Sequence, residues 1–331
     1  MKHLWTLTWL VVLAMAGVVR PAFSQMDPPG PPGSPEAWVK PLNMVEPRTM
    51  ITGLPYAISN AGSYYLVSNL VGRTGNDGII IAAGDVKVDL NGYALVGVPG
   101  TGCGIYAVGA ALSNITIQNG AIRNWGSYGI RASVGKGIQV TGIKSYSNSG
   151  DGMWLGENAM VKECMAFDNG GWGFDLGVNA VIIDCEARGN TNIGIDVDAV
   201  GKVRGCVAFG NQMDGLVASS NATITACSAI QNKGDGIQVG ASCRVTDSSC
   251  GGNGSGTGTG AGIHATGARN RIQDNNVTLN DYGIQTDVAG NLVIRNSASG
   301  NGGGPQDDYN LATSTVFGRI ERPSGEIGLV S

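Results

Sequence analysis

Apolar and polar residues alternate with a period of two in short runs along most of the chain. In "WGFDLG" Phe174 and Leu176 flank Asp175, and in "IGIDVD" Ile195 and Val197 flank Asp196. That is the alternation of a strand with one face buried. No segment after residue 50 carries a convincing helical stripe. The runs recur with a register: a glycine followed by an apolar residue stands at 78, 104, 129, 152, 173, 194, 215, 236, 262 and 283, in steps of 26, 25, 23, 21, 21, 21, 21, 26 and 21 residues. Steps this regular are an internal repeat.

Aligning the repeats gives columns. Directly after each glycine come Ile79, Ile105, Ile130, Met153, Phe174, Ile195, Leu216, Ile237, Ile263 and Ile284, apolar throughout, so this column faces a core. A second column runs Cys164, Cys185, Cys206, Cys227, Ser248, Asn275 and Asn296, with a small or apolar residue two places on. A third runs Asn148, Asn169, Asn190, Asn211, Asn232, Asn253, Asn280 and Asn301 beside glycines, where asparagine suits a tight bend. A unit of three short strands and three bends cannot bury its own apolar face, but a stack of such units can. With parallel strands about 4.8 Å apart, ten coils make a rod on the order of 45 to 50 Å long.

The cysteines follow from this architecture. A position that accepts Cys, Ser or Asn is a small inward site, where a free thiol behaves as a small hydrophobe. Stacked side chains run parallel rather than toward one another, which disfavours disulfides between coils. The chain has seven cysteines, an odd number, and no C-x-x-C pair, so a thiolate metal cluster is not expected.

These columns resemble the right-handed parallel β-helix of the pectin-lyase-like superfold, in its secreted bacterial form. The resemblance covers roughly residues 76–303 and supplies the handedness; the periods by themselves give only a stacked β-coil. The expected fold is an all-β, single-stranded right-handed parallel β-helix of about ten coils. The expected organisation is a signal peptide at 1–24, a proline-rich linker at 25–49, an N-terminal cap at 50–76, β-helix repeats at 77–303 and a C-terminal cap at 304–331. Lys2 and His3 precede the apolar run "LWTLTWLVVLAMAGVV", and Ala22 and Ser24 occupy the small positions before a cut after Ser24. The run is short for a span of about 20 residues, so cleavage is expected rather than anchoring, and the mature chain should hold no membrane span. The protein should be secreted, periplasmic or at the cell surface.

Composition narrows the partners. The 331 residues include 54 glycines, only 14% are charged, and the net charge is −4, so there is no basic footprint for nucleic acid. A monomer is expected.

Two residues after each glycine lies the outward column: Ile80, Tyr106, Arg131, Trp154, Asp175, Asp196, Val217, Gln238, His264 and Gln285, with Asp198 and Asp287 two places further along. In the resembled superfold this face commonly forms the polysaccharide groove. Tyr106, Trp154, Gln238 and His264 are then the substrate-binding candidates, through flat apolar faces and hydrogen bonds. Asp175, Asp196, Asp198 and Arg131 are the catalytic candidates. Arg131 can hold a carboxylate in bidentate fashion, and adjacent carboxylates can do acid and base work on a glycosidic bond. Three carboxylates this close either raise a pKa or hold a cation, and calcium is the cofactor suited to oxygen-only ligands at Asp175, Asp196 and Asp198. His264, about 14 Å from Asp196 at three coils, is expected to be a solvated surface residue rather than a proton partner of that carboxylate.

The chain also departs from enzymes of this shape. It has no Asp-Asp pair in the polygalacturonase pattern and no "DPHD" of the alginate epimerase kind. The 21-residue steps across the aspartate coils leave no long insertions to wall a groove. A carbohydrate-active lyase or hydrolase therefore stands beside a non-catalytic cell-surface or extracellular module with a structural or adhesive role. A periplasmic metal-handling protein is a third and weaker reading, since one copper-related family shares the resembled fold.

Overall fold

The computed structural model describes residues 48–109, 112–254, 258–302 and 307–317, together with two short strands at Ile320–Glu321 and Ile327–Gly328. The predicted signal peptide and all but the end of the predicted linker lie outside the described residues. Among the described residues every ladder but one is parallel, and no helix is long and apolar enough to cross a membrane.

The fold is a parallel β-helix. One sheet is a single file of twelve strands, one per coil, from Tyr56–Ile58 to Tyr309–Leu311. A 22-stranded sheet wraps the other two sides, each middle coil giving it two strands such as Val181–Ile183 and Glu186–Arg188. There are thus twelve rungs rather than about ten. The additional two are built from degenerate repeats: Tyr56–Ile58 pairs in register with Ile79–Ile81, and Tyr309–Leu311 with Ile284–Thr286, although neither carries the glycine signature. The segment expected as a cap, 50–76, supplies Tyr56–Ile58, Gly62–Leu66 and Leu70–Val71 to the first rung, and Thr49–Ile51 pairs in parallel with Gly62–Leu66 as the strand before it.

Three ladders of side-chain hydrogen bonds hold the bends. Asn169 donates both its amide N–H and its Nδ2 to Oδ1 of Asn190, at 3.1 and 3.0 Å, and the pattern repeats coil after coil. The ladder begins at the amide of Trp125, which donates to Asn148, and ends where Asn301 donates to Asp308. In the cysteine column the amide of Cys164 donates to Sγ of Cys185 at 3.4 Å, that of Cys227 to Oγ of Ser248 at 3.2 Å, and that of Ser248 to Oδ1 of Asn275 at 2.9 Å. The column is buried and small, but its members also share an acceptor, which is why Cys, Ser and Asn exchange there. The third ladder links Ala222, Cys243, Asn270 and Asn291. All seven cysteines are free and buried.

The glycine column answers to space rather than to backbone angle. A Cβ on Gly194 would lie 2.5 Å from Nδ2 of Asn211 and 2.6 Å from the carbonyl oxygen of Gly215, too close for any side chain. The close approach of strand, ladder and next rung therefore needs glycine. Left-handed residues sit instead one place before each ladder position, as at Asp168 (φ 53°) and Asp184 (φ 53°). A β-branched side chain there would be strained.

Candidate functional site

In the single-file sheet, from Ile79–Ile81 to Tyr282–Thr286, the outward residue of each strand is partly exposed and its two neighbours are buried, as in Phe174, Asp175 and Leu176. Register pairing then stacks the middle residues directly: Tyr106 on Arg131, Arg131 on Trp154, Trp154 on Asp175, Asp175 on Asp196, Asp196 on Val217, Val217 on Gln238, Gln238 on His264 and His264 on Gln285. All seven sequence candidates from Tyr106 to His264 therefore share one column. Asp198 falls beyond the end of its strand and is exposed.

The column has three parts. At one end the Arg131 guanidinium is caged by rings, with Cζ 5.3 Å from the centre of Tyr106, 5.5 Å from Tyr128 and 5.0 Å from Trp154. Cation–π contact fixes the guanidinium without consuming its N–H donors, which make no ion pair among the described residues.

The middle is acidic. Burial, followed by the charges of Asp196, Asp151 and Asp198, pushes Asp175 up to about 7. Burial, followed by Asp198 and Asp214, pushes Asp196 up to about 6. Both carboxyls are thus held far above the ordinary carboxylate range, so the pair exchanges protons between about pH 6 and about pH 7 rather than near 4. The calcium expectation fares poorly: among the described residues no group of three or more carboxylate, imidazole or thiol side chains gathers closely enough to hold a metal ion. Side chains stacked in a file point parallel, and Asp198 stands off the strand, so the three do not converge on one point.

The far end differs from expectation. His264 is not a solvated surface residue; its side chain is only 16% exposed and is clamped by two carboxylates. Its Nδ1 lies 2.7 Å from Oδ2 of Asp235, and its Nε2 lies 2.9 Å from Oδ1 of Asp287. Burial works against its charge, but bonds to the two carboxylates outweigh that and raise it to about 9. The ring is an imidazolium at neutral pH, with both N–H groups donated.

Sequence reading missed the neighbouring column, which supplies Tyr128, Asp151, Trp172, Asp214 and Asp235. Its signal was the recurring Asp-Gly at 77–78, 151–152, 214–215 and 235–236. Each of these aspartates accepts the backbone N–H of the next rung, as Asp151 does from Trp172 at 2.8 Å and Asp235 from Ala261 at 2.7 Å. Burial raises Asp151 and Asp214 as well. They brace the bend and add negative charge beside Asp175 and Asp196.

A family model described as a right handed beta helix region matches residues 103–267. Comparison with curated proteins finds no match. Among solved structures the chain is similar to the A-module of Azotobacter vinelandii mannuronan C-5 epimerase AlgE4, with a TM-score of 0.62 at 13% identity over 81% of this chain and 89% of that one. The A-module of the AlgE6 enzyme from the same organism gives 0.56 at 15% identity, over 79% and 92%. Tailspike protein 2 of the Escherichia coli O157:H7 bacteriophage CAB120 gives 0.50 at 13% identity, over 76% of this chain and 39% of that one. At these identities the likeness is one of fold.

Proposed function

The chain is a right-handed parallel β-helix protein, and from that premise we propose that the outer face of its single-file sheet binds a uronate-containing polysaccharide, with Asp175 and Asp196 doing acid and base work on a glycosidic bond. The observation that carries this reading is the stack of a caged, unpaired guanidinium, an indole and two carboxyls of unequal proton affinity in one column. Mannuronan is a polyuronate, so the two epimerase modules lend support to the substrate class but not to the reaction.

In this mechanism Arg131 is an anchor. It lies two rungs from Asp175, about 10 Å along the rod, too far to take a proton from a sugar whose bond sits at the carboxyl pair. A guanidinium also stays protonated, so the geometry favours hydrolysis over a lyase step led by Arg131. Asp175, with the higher pKa, donates its proton to the leaving oxygen as ionised Asp196 attacks the anomeric carbon, and the Asp175 carboxylate then takes a proton from the water that releases the sugar from Asp196. Adjacent rungs are about 4.8 Å apart, nearer the carboxyl separation of retaining enzymes than of inverting ones. Export, as the N-terminal segment predicts, would bring the protein to such a polymer outside the cytoplasm.

A second reading has its own observation. The coils carrying Asp175 and Asp196 are joined by steps of only 21 residues, which leaves the face without walls. An open face suits a binding module that does no chemistry.

The test is a panel of uronate-containing and neutral polysaccharides, with and without calcium, read for reducing ends and unsaturated sugars. Reducing ends from the wild type, lost in Asp196→Asn, support the hydrolase. Unsaturated products would replace it with a lyase. Binding without products supports the module, and neither binding nor products from folded protein would overturn the whole reading.

A further inference from the structure

The His264 clamp is one half of a longer arrangement. Nε2 of Gln238 donates to Oδ2 of Asp235 at 3.2 Å, and Nε2 of Gln285 donates to Oδ1 of Asp287 at 3.3 Å. With the His264 bonds at 2.7 and 2.9 Å, five side chains form one chain over three rungs: Gln238, Asp235, His264, Asp287, Gln285. The imidazolium holds the two carboxylates, and each carboxylate holds one amide by its nitrogen. Each amide nitrogen thereby gives one of its two N–H groups to a carboxylate, which fixes the amide and leaves its carbonyl oxygen as an acceptor. Oδ2 of Asp235 cannot donate in return while it faces two donors, so the amide orientation is fixed rather than arbitrary. Oε1 of Gln285 is shielded from water and has no hydrogen-bond partner, an unmet demand for a donor. Among the described residues Oε1 of Gln238 has no protein partner either, and its side chain is partly exposed on the outer column.

Charge decides what such acceptors take. Two carboxylates around one imidazolium leave a net single negative charge, and Asp214 stands beside them on the preceding rung. A uronate carboxylate is repelled here, whereas a sugar hydroxyl is the donor that the Gln238 carbonyl lacks; the Gln285 carbonyl, shielded from solvent, lies out of a ligand's reach. We infer that Gln238, positioned by the Asp235–His264–Asp287 clamp that Gln285 completes, forms a distal subsite that reads a hydroxyl of an uncharged sugar in the same chain whose uronate is held at Arg131. The inference rests on the polysaccharide reading above and extends it: the face takes a mixed polymer, acidic at one end and neutral at the other. Gln238 binds, while His264 acts through the carboxylates it holds.

Arg131 and Gln238 are five rungs apart, about 24 Å, so only a ligand of that contour reaches both. The experiment is calorimetric titration of the full chain with two series of oligosaccharides, each including members shorter and longer than this span. One is xylo-oligosaccharides carrying a single glucuronate at one end, and the other is oligomannuronates. The expected result is a gain of about tenfold in affinity when the xylo-series passes the span, equivalent to one or two hydrogen bonds, and no such gain for oligomannuronates. Gln238→Leu and His264→Ala should both erase the gain, with unfolding midpoints used to confirm that each variant is folded. A general loss of packing would not depend on ligand length, so the length dependence separates positioning from structure. Equal gains for both series, or a gain that survives Gln238→Leu, would overturn the subsite while leaving the polysaccharide reading intact. Failure of every member to bind would overturn both.

Discussion

The amide N–H of Cys164 donates to the sulfur of Cys185, one coil further on, at 3.4 Å. The thiol of Cys185 in turn donates to the carbonyl of Ile183 at 3.2 Å. The sulfur is therefore an acceptor inside a buried ladder as well as a space filler. It does for a bend what Ser248 and Asn275 do later in the same column.

Cys185→Ser should fold and lose little stability, because Oγ keeps both bonds. Cys185→Val keeps volume but offers no acceptor, and it leaves the Cys164 amide buried and unpaired at a cost of about 1 to 3 kcal/mol. Urea unfolding of the two variants, compared by midpoint, checks the ordering; equal midpoints would reduce the column to packing alone.

Two glycines within one coil should respond very differently to the same methyl group. At Gly194 a Cβ meets Nδ2 of Asn211 at 2.5 Å and the Gly215 carbonyl at 2.6 Å, with strand and ladder fixed on both sides. At Gly210 (φ 63°) nothing lies within 4 Å, and the only cost is the left-handed backbone, about 1 kcal/mol. Gly194→Ala should therefore be expressed poorly or lose several-fold more stability than Gly210→Ala, as read by thermal unfolding.

The fold was legible in the sequence because a solenoid writes each contact as a column. Ile195 and Leu216 share a column in the sequence and pair in the structure for the same reason. The terminal rungs at Tyr56–Ile58 and Tyr309–Leu311 escaped because their outer neighbours differ and the repeat signature fades there. The outward column was legible too, from the alternation around Asp175 and Asp196. What the period of two could not give was the bend. Asp235 and His264 are 29 residues apart and stand in different columns, and their meeting depends on where a side chain leans after the strand begins. The Asp-Gly repeat marked those positions, but its backbone role hid its electrostatic one.

Stability should fall as pH rises above about 4. Asp175 and Asp196 are raised to about 7 and about 6, so between the ordinary carboxylate range and those values the native state binds more protons than the unfolded chain. The slope of unfolding free energy with pH is then negative. His264, raised to about 9, adds a contribution that is fully present below about 6.5 and is lost as pH rises through 9. Thermal midpoints of the wild type should drop across both windows. Asp175→Asn should flatten the lower one and His264→Gln the upper one, and a rising midpoint from pH 4.5 to 7 would refute the burial of these carboxyls.

Arg131 offers the sharpest separation of charge from geometry on the whole face. Its guanidinium is held among Tyr106, Tyr128 and Trp154 by ring contacts, so its N–H groups stay available to a carboxylate. Arg131→Lys keeps the charge but loses the planar fork, and an ammonium is more strongly hydrated than a guanidinium. Arg131→Ala removes both and leaves three rings around a gap. Affinity for a uronate oligosaccharide should therefore fall about tenfold in the lysine variant and by about a hundredfold in the alanine variant. Raising the salt concentration should narrow the gap between wild type and Arg131→Ala, because a partly exposed ion pair is screened. Titrations with uronate and neutral oligosaccharides of equal length, at low and high salt, decide the matter: equal losses for both ligand types would mean that Arg131 serves the ring stack and not the ligand.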